Sequence, residues 1–77
     1  MTPTQCRMAR AALGLSVAEL AALVGVRSMT VSNFERGGGC YASTVEKLRA
    51  TLEAEGVVFV AAGEASLTGG AGVRLKS

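Results

Sequence analysis

A polar run between residues 27 and 36 offers hydrogen-bonding chemistry suited to nucleotide bases and phosphates. It follows a glycine-containing turn and reads Arg27-Ser28-Met29-Thr30-Val31-Ser32-Asn33-Phe34-Glu35-Arg36. Asn33 is expected to form a bidentate pair with adenine, the usual partner of asparagine at base edges. Ser28 can donate or accept a hydrogen bond, Met29 can contact a thymine methyl group, and Arg27 can bind guanine or a phosphate. A helix from about Ser28 to Arg36 would therefore fit a major groove, which is about 12 Å wide.

Other kinds of site have little support in the sequence. Histidine is absent, and Cys6 and Cys40 are not spaced like metal ligands. The glycine run 37–39 follows a helix and lacks the lysine of a P-loop, so it is expected to form a hinge. Cys6 falls on an apolar helix stripe and is expected to be a small core residue. We therefore predict no catalytic residue, no metal and no cofactor, and a protein that is not an enzyme.

The length of the chain indicates one small domain. Its mildly basic composition is compatible with DNA binding but does not require it. The chain has 77 residues, of which 49% are hydrophobic and 4% aromatic, and its net charge is +2. The excess positive charge lies in residues 1–40, which contain four arginines and two glutamates. Neither an export signal nor an apolar run of roughly 18 residues, the length of a membrane span, is found. The expected location is the cytoplasm, with the protein associated with the nucleoid when bound to DNA.

Helix boundaries are signalled by capping boxes and glycines. A capping box pairs a Ser or Thr cap with Glu or Gln three residues later. The pattern occurs at residues 2–5, 16–19 and 43–46, and it predicts three helix starts there. Gly14, Gly25 and Gly56 are predicted to end helices, and Gly25 to supply the positive φ of a tight turn. With the helix at about 28–36, the first 56 residues are predicted to form four helices.

Apolar spacing predicts which faces of these helices are buried. The residues expected to point inward are Cys6, Ala9 and Leu13 on the first helix, Leu20, Leu23 and Val24 on the second, Val31 and Phe34 on the third, and Val45, Leu48 and Leu52 on the fourth. The charged residues Lys47, Arg49, Glu53 and Glu55 are expected to form a solvated surface of the fourth helix.

The tail changes character after Gly56. Residues 57–60 are β-prone, residues 63–72 are rich in Gly, Ser and Thr, and residues 73–76 alternate apolar and charged side chains. The two β-prone runs predict a hairpin around a long loop. Both faces of the first run are apolar, so the helices are expected to cover one face and a second copy of the chain the other face or the strand edge.

The pattern Leu15-Ser16-x-x-Glu19-Leu20-Ala21-x-x-x-Gly25-Val26-x-x-x-Thr30-Val31-Ser32-x-Phe34-Glu35-Arg36-Gly37 resembles the lambda-repressor-like, or XRE-type, helix-turn-helix regulators. The resemblance covers residues 2–56. It implies a mainly α fold, namely a four-helix DNA-binding domain over 1–56 followed by a short β-hairpin tail over 57–77 that contributes to dimerisation. It also implies that helix two crosses the DNA backbone and that helix three reads the bases.

The resemblance assigns roles to individual residues. It implies that Ser28, Met29 and Asn33 contact bases and that Thr30 and Ser32 lie nearer the phosphates. Arg27 occupies a position where the family usually has a small hydroxyl residue, and Arg36 is either a phosphate clamp or a cation favoured by the helix dipole. Arg10 and Glu35 match a family ion pair between helices one and three. Val17 stands where the family usually has a glutamine that braces the recognition helix.

Two functions are compatible with these features. The first is a homodimeric repressor that binds double-stranded DNA at a pseudo-palindromic operator, with half-sites roughly 34 Å apart, and pairs through residues 57–76. The alternative is a protein-interaction module, such as an antitoxin or antiactivator, and the modest charge, Val17 and the apolar tail favour it. The sequence does not identify the operator, the regulated genes or the protein partner, and it does not distinguish a repressor from an activator.

Overall fold

The computed structural model of the chain describes residues 1–60 and 72–75. In chain order these residues form the helices and strands α1 Pro3–Leu13, α2 Val17–Val24, α3 Ser28–Glu35, α4 Ala42–Ala54, β1 Val57–Val60 and β2 Gly72–Leu75. The predicted class, four helices followed by a short β-hairpin, is confirmed. The second strand begins one residue earlier than predicted. The predictions for the loop before it and for Lys76 lie outside the described residues. None of the helices in the described ranges is long and apolar enough to cross a membrane.

Capping boxes start α1 and α2, as predicted. At α1 the hydroxyl oxygen of Thr2 accepts a hydrogen bond from the Gln5 backbone N–H at 3.1 Å, and the Gln5 side chain accepts one from the Thr2 N–H at 2.9 Å. Ser16 and Glu19 make the same exchange at α2, at 3.0 and 2.9 Å. These bonds satisfy amides that a helix start leaves without a backbone partner. The two helix starts are therefore encoded within four residues each.

The third predicted capping box is wrong. Helix α4 already begins at Ala42, and its N-cap is Tyr41, which makes no side-chain cap hydrogen bond. The Tyr41 carbonyl accepts from the backbone N–H groups of Thr44 and Val45, both at 3.0 Å. Ser43 is thus inside the first turn rather than at the cap. Alanine has the highest helix propensity, and Ala42 extends the helix toward the preceding loop.

The core is formed by residues from all four helices and from the first strand of the hairpin. Its buried side chains are Cys6, Ala9, Leu20, Ala21, Val31, Phe34, Leu48, Leu52 and Val57. The predicted burial of Leu23 is wrong, because 51% of this residue is exposed. Successive helix residues are about 100° apart. A stripe centred on Leu20, Ala21 and Val24 therefore leaves Leu23 beyond its edge.

The hairpin is antiparallel and packs one face on the helices. Val57 pairs with Leu75, and Phe59 with Val73. Val57 is 3% exposed, and Phe59 and Val73 contact the core cluster, so these alternate positions form the inner face. The two strands of the hairpin are therefore part of the folded unit that supports the helices.

Candidate nucleic-acid interface

The turn between α2 and α3 sets the position of α3. Gly25 has φ +86°, in the left-handed region that favours glycine. The Gly25 and Val26 amides both donate to the Ala21 carbonyl, at 2.9 and 3.0 Å. Val26 is half-buried and packs against the core. This short, hydrogen-bonded connection fixes the direction in which α3 leaves α2.

One side of α3 anchors the helix to the rest of the molecule. Val31 is fully buried, Phe34 is 7% exposed and Glu35 is 6% exposed. These three residues contact the core or its polar edge, as predicted for Val31 and Phe34. The opposite side of the helix is consequently left toward solvent.

The seven residues predicted to contact DNA all remain accessible. Arg27, Ser28, Met29 and Arg36 are exposed, whereas Thr30, Ser32 and Asn33 are half-buried. Met29 is 71% exposed. The predicted helix end differs by one residue, because α3 ends at Glu35 and Arg36 is its C-cap. The accessible side of α3 thus presents small polar groups, one apolar group and an arginine at each end.

The start of α3 has an electropositive character. Its N-cap, Arg27, makes no side-chain cap hydrogen bond to the helix. Helix-start amides carry partial positive charge and attract anions such as phosphate. The Arg27 guanidinium adds a full positive charge beside them.

The end of α3 is closed by the glycine run. Gly37 has φ +85°, and its amide donates to the Phe34 carbonyl at 2.9 Å. The Gly38 amide donates to the Asn33 carbonyl at 2.8 Å. A Cβ at Gly38 would lie 2.8 Å from that carbonyl oxygen, so this close approach requires glycine. Two of the three glycines therefore cap α3 and do not form the free hinge that the sequence predicted.

A buried ion pair ties the last turn of α3 to α1. Arg10 Nε donates to Glu35 Oε2 at 3.0 Å, and Arg10 Nη2 donates to Glu35 Oε1 at 3.1 Å. Arg10 Nη1 also donates to the Leu15 carbonyl at 3.0 Å. The Glu35 side chain is 5% exposed and that of Arg10 is 23% exposed. The predicted pair is confirmed, and its two-point geometry fixes the angle between the helices.

Cys6 also contacts this ion pair, and the sequence did not predict that contact. Its thiol Sγ donates to Glu35 Oε2 at 3.4 Å. Burial, followed by the negative charge of Glu35, raises the pKa of Cys6 to about 12. The hydrogen bond to Glu35 raises the pKa of Arg10 as well. Cys6 and Arg10 are four residues apart and share one face of α1, which is the only sequence signal for this contact. Cys6 is a core residue, as predicted, and its thiol is held neutral.

A second missed contact lies on the accessible side. Arg36 Nη2 donates to Oδ1 of Asn33, one turn earlier in the chain. Asn33 also lines a cleft of about 520 Å³ between α3 and the start of α4, together with Thr30, Gly39, Cys40, Tyr41 and Thr44. Asn33 and Arg36 are three residues apart, a spacing that permits side-chain contact on a helix surface but does not by itself predict it.

Comparison with known proteins agrees with this geometry. Residues 7–52 match a protein family described as helix-turn-helix, which is more than half of the 77 residues. The matched segment contains all of α2, its turn and α3. No curated protein matches the chain.

Proposed function

The chain belongs to the XRE-type helix-turn-helix family of DNA-binding regulators, and we propose that it is a transcriptional repressor that binds a pseudo-palindromic operator as a homodimer. In this proposal residues 1–56 form the DNA-binding domain and residues 57–77 contribute to dimerisation. Helix α3 occupies the major groove, and bound repressor occludes a promoter. Such a protein acts at the nucleoid, in the cytoplasm.

The contrast between the two sides of α3 carries the proposal. Val31 and Phe34 hold the helix from within, while Ser28, Met29 and Asn33 stay accessible on a helix narrow enough for the groove. This accessible side belongs to the second helix of the matched helix-turn-helix segment, the helix that such domains place in the major groove. We assign base contacts to Ser28, Met29 and Asn33.

Backbone contacts complete the assignment. Arg27 and the first-turn amides face phosphate at one end of α3, and Arg36 provides charge at the other. Thr30 and Ser32 offer hydroxyl donors between them. Affinity from phosphate contacts grows with the number of charges neutralised, and one copy has few cations at this surface. Two copies double these contacts and add a second half-site roughly 34 Å away.

The outer face of the hairpin supports the dimer. Val58 and Val60 alternate with the inward residues of β1 and are only half-buried. Their cross-strand neighbours are Gly72, where a Cβ would lie 3.8 Å from Met8 Cε, and the exposed Arg74, so the two valines supply the apolar surface of this face. Contact with a second copy would remove this apolar surface from water.

The first experiment is selection of bound DNA from a random pool, followed by gel shifts at rising salt. We expect a symmetric sequence and an affinity that falls steeply with salt. Arg27→Ala should weaken binding and reduce the slope of log affinity against log salt by about 1. Lys47→Ala, which removes the same charge from the exposed side of α4, should change neither. Failure to enrich any sequence would overturn the proposal.

The second experiment tests the tail. Deletion after Gly56 would remove Val57 from the core, so a surface substitution is the sharper probe. Val58→Glu should convert a dimer into a monomer in analytical ultracentrifugation and weaken operator binding, while circular dichroism stays unchanged. Glu46→Gln, on the exposed surface of α4, serves as the control. A Val58→Glu protein that still sediments as a dimer would refute the role of the hairpin.

Three exposed side chains favour the alternative, a protein-interaction module. Leu23, Met29 and Tyr41 are 51%, 71% and 83% exposed, and they lie on or beside the helix-turn-helix. Apolar and aromatic side chains of this kind often anchor protein partners. DNA binding that is unchanged by both Asn33→Ala and Arg27→Ala would favour this alternative over the repressor.

A further inference from the structure

The contact between Arg36 and Asn33 determines which groups Asn33 can offer to a base. A neutral amide side chain has one oxygen that accepts and one NH₂ group that donates. In this protein Oδ1 accepts from the Arg36 guanidinium with one of its two lone pairs. The positive charge beside Oδ1 further disfavours the approach of a second donor. The NH₂ group of Asn33 remains available.

The backbone around this contact is fixed from two sides. The Gly38 amide binds the Asn33 carbonyl at 2.8 Å, and the Arg36 amide binds the Ser32 carbonyl at 3.1 Å. Glu35, immediately before Arg36, is held in the interior by Arg10. The last turn of α3 therefore keeps the two side chains one turn apart on a rigid frame. A charge-assisted hydrogen bond between such residues is stronger than a neutral one.

The pair consequently presents donors. A guanidinium has five N–H groups and no acceptor, and its positive charge beside Oδ1 makes the Asn33 NH₂ the favoured part of the amide for a base contact. In the major groove, guanine displays two acceptors, N7 and O6. Adenine displays one acceptor, N7, and one donor, the N6 amino group, which needs Oδ1 as its partner. A surface of donors matches the guanine edge and opposes the adenine amino group.

We propose that Arg36 is a positioning residue that makes Asn33 select guanine over adenine in the operator. This inference rests on the proposed function and makes it more specific. It differs from the sequence-based expectation of an adenine contact, which treated Asn33 alone. Arg36 acts here through the Asn33 amide rather than only as a phosphate cation.

The test compares base preferences at the operator position that Asn33 reads. That position is the one where preference disappears in Asn33→Ala. We expect the unaltered protein to bind an operator with guanine at this position on the order of tenfold more tightly than one with adenine, which is the discrimination of one good bidentate contact. Hypoxanthine, which keeps N7 and O6, should bind like guanine, and 7-deazaguanine, which lacks N7, should bind more weakly.

Variants separate positioning from a simple charge effect. Arg36→Ala should shift the preference at that position from guanine to adenine, because it removes the positive charge that disfavours a base donor at Oδ1. Arg27→Ala, which removes an equal charge at the other end of α3, should weaken binding to all bases alike. A folded Arg36→Ala protein that loses affinity equally for guanine and adenine would overturn the positioning role.

Two further outcomes distinguish this inference from the proposed function. A preference for adenine in the unaltered protein, or an Asn33→Ala variant with an unchanged profile, overturns the inference and leaves a DNA-binding repressor in place. Absence of any enriched sequence overturns both.

Discussion

Replacement of Arg10 by methionine should strongly destabilise this protein. Met retains much of the aliphatic volume of Arg10 and removes the guanidinium. Glu35, whose side chain is 5% exposed, then loses both hydrogen bonds from Arg10, and among the described residues it keeps only the weak donor of Cys6. The Leu15 carbonyl loses a partner as well. An uncompensated carboxylate at the base of α3 is the expected cause of the loss.

The magnitude follows from the burial of the pair. Removal of one partner of a buried ion pair destabilises a protein by about 3–5 kcal/mol. The Arg10 side chain is 23% exposed, which admits water and places the effect near about 3 kcal/mol. At about 0.05–0.15 kcal/mol per residue, a chain of this length has a total stability of roughly 4–12 kcal/mol. The melting temperature should therefore fall by roughly 12–24 °C, at about 4–8 °C per kcal/mol.

Urea and thermal unfolding followed by circular dichroism measure this effect directly. Arg7→Met is the matched control, because Arg7 is exposed on the same helix and the same substitution there should change stability by less than about 0.5 kcal/mol. Arg10→Met/Glu35→Met should recover most of the loss, since an apolar pair of similar volume replaces an unpaired charge. An Arg10→Met protein as stable as Arg7→Met would refute the reasoning that the buried carboxylate depends on Arg10.

Further predictions concern pH, the end of α3 and the hairpin. Unfolded Cys6 loses its proton near pH 9.0 and the folded thiol only near 12, so the free energy of unfolding should fall as pH rises between these values. The slope of this free energy against pH should approach about 1.4 kcal/mol per pH unit. Urea unfolding of Cys6→Ala, measured at the same pH values, should not show this slope. Gly38→Ala places a Cβ 2.8 Å from the Asn33 carbonyl oxygen and should cost about 1–3 kcal/mol in urea unfolding. At Gly39 an added Cβ would have no described atom within 4 Å, so Gly39→Ala should destabilise the protein less than Gly38→Ala does. Gln5→Met removes bonds of 3.0 and 3.1 Å to one carbonyl in each strand and should accelerate hydrogen exchange in the hairpin relative to α2. Equal protection of the hairpin in both proteins would contradict this role.

The helix starts were predictable where the signal is local. The boxes at Thr2 and Ser16 each join residues three apart, so the sequence contains the whole interaction. The pattern at Ser43 has the same letters, yet Ala42 already continues the helix and Tyr41 takes the cap position. A capping pattern therefore predicts a boundary only when the preceding residue does not itself extend the helix.

Burial and long-range contacts were less accessible to sequence reasoning. Leu23 is as apolar as Leu20, but the packing of α2 on its neighbours decides which of them lies inside. Gln5 reaches carbonyls 55 and 67 residues away in the two strands, and no local pattern specifies such partners. The hairpin itself was predictable from its β-prone runs, whereas its attachment to α1 depends on the tertiary arrangement.

The candidate site shows the same division. Spacing and residue type predicted an accessible polar helix, and all seven named residues are accessible. The orientation of the Asn33 amide depends on a neighbour that sequence reasoning assigned to phosphate or to the helix dipole. Hydrogen-bond direction is a property of the assembled surface, and it changes the expected base from adenine to guanine.

The last turn of α3 combines anchoring and readout in adjacent residues. Glu35 faces inward and binds Arg10, while Arg36 faces outward and binds Asn33. Because these two neighbours share one rigid backbone, the ion pair that fixes the helix against α1 also fixes the origin of the Arg36 side chain. A change at the buried pair is therefore expected to move the Arg36 side chain without replacing any residue on the accessible side of α3. If the proposed function holds, base preference should consequently depend on an interior carboxylate as well as on the side chains that we assign to DNA contact.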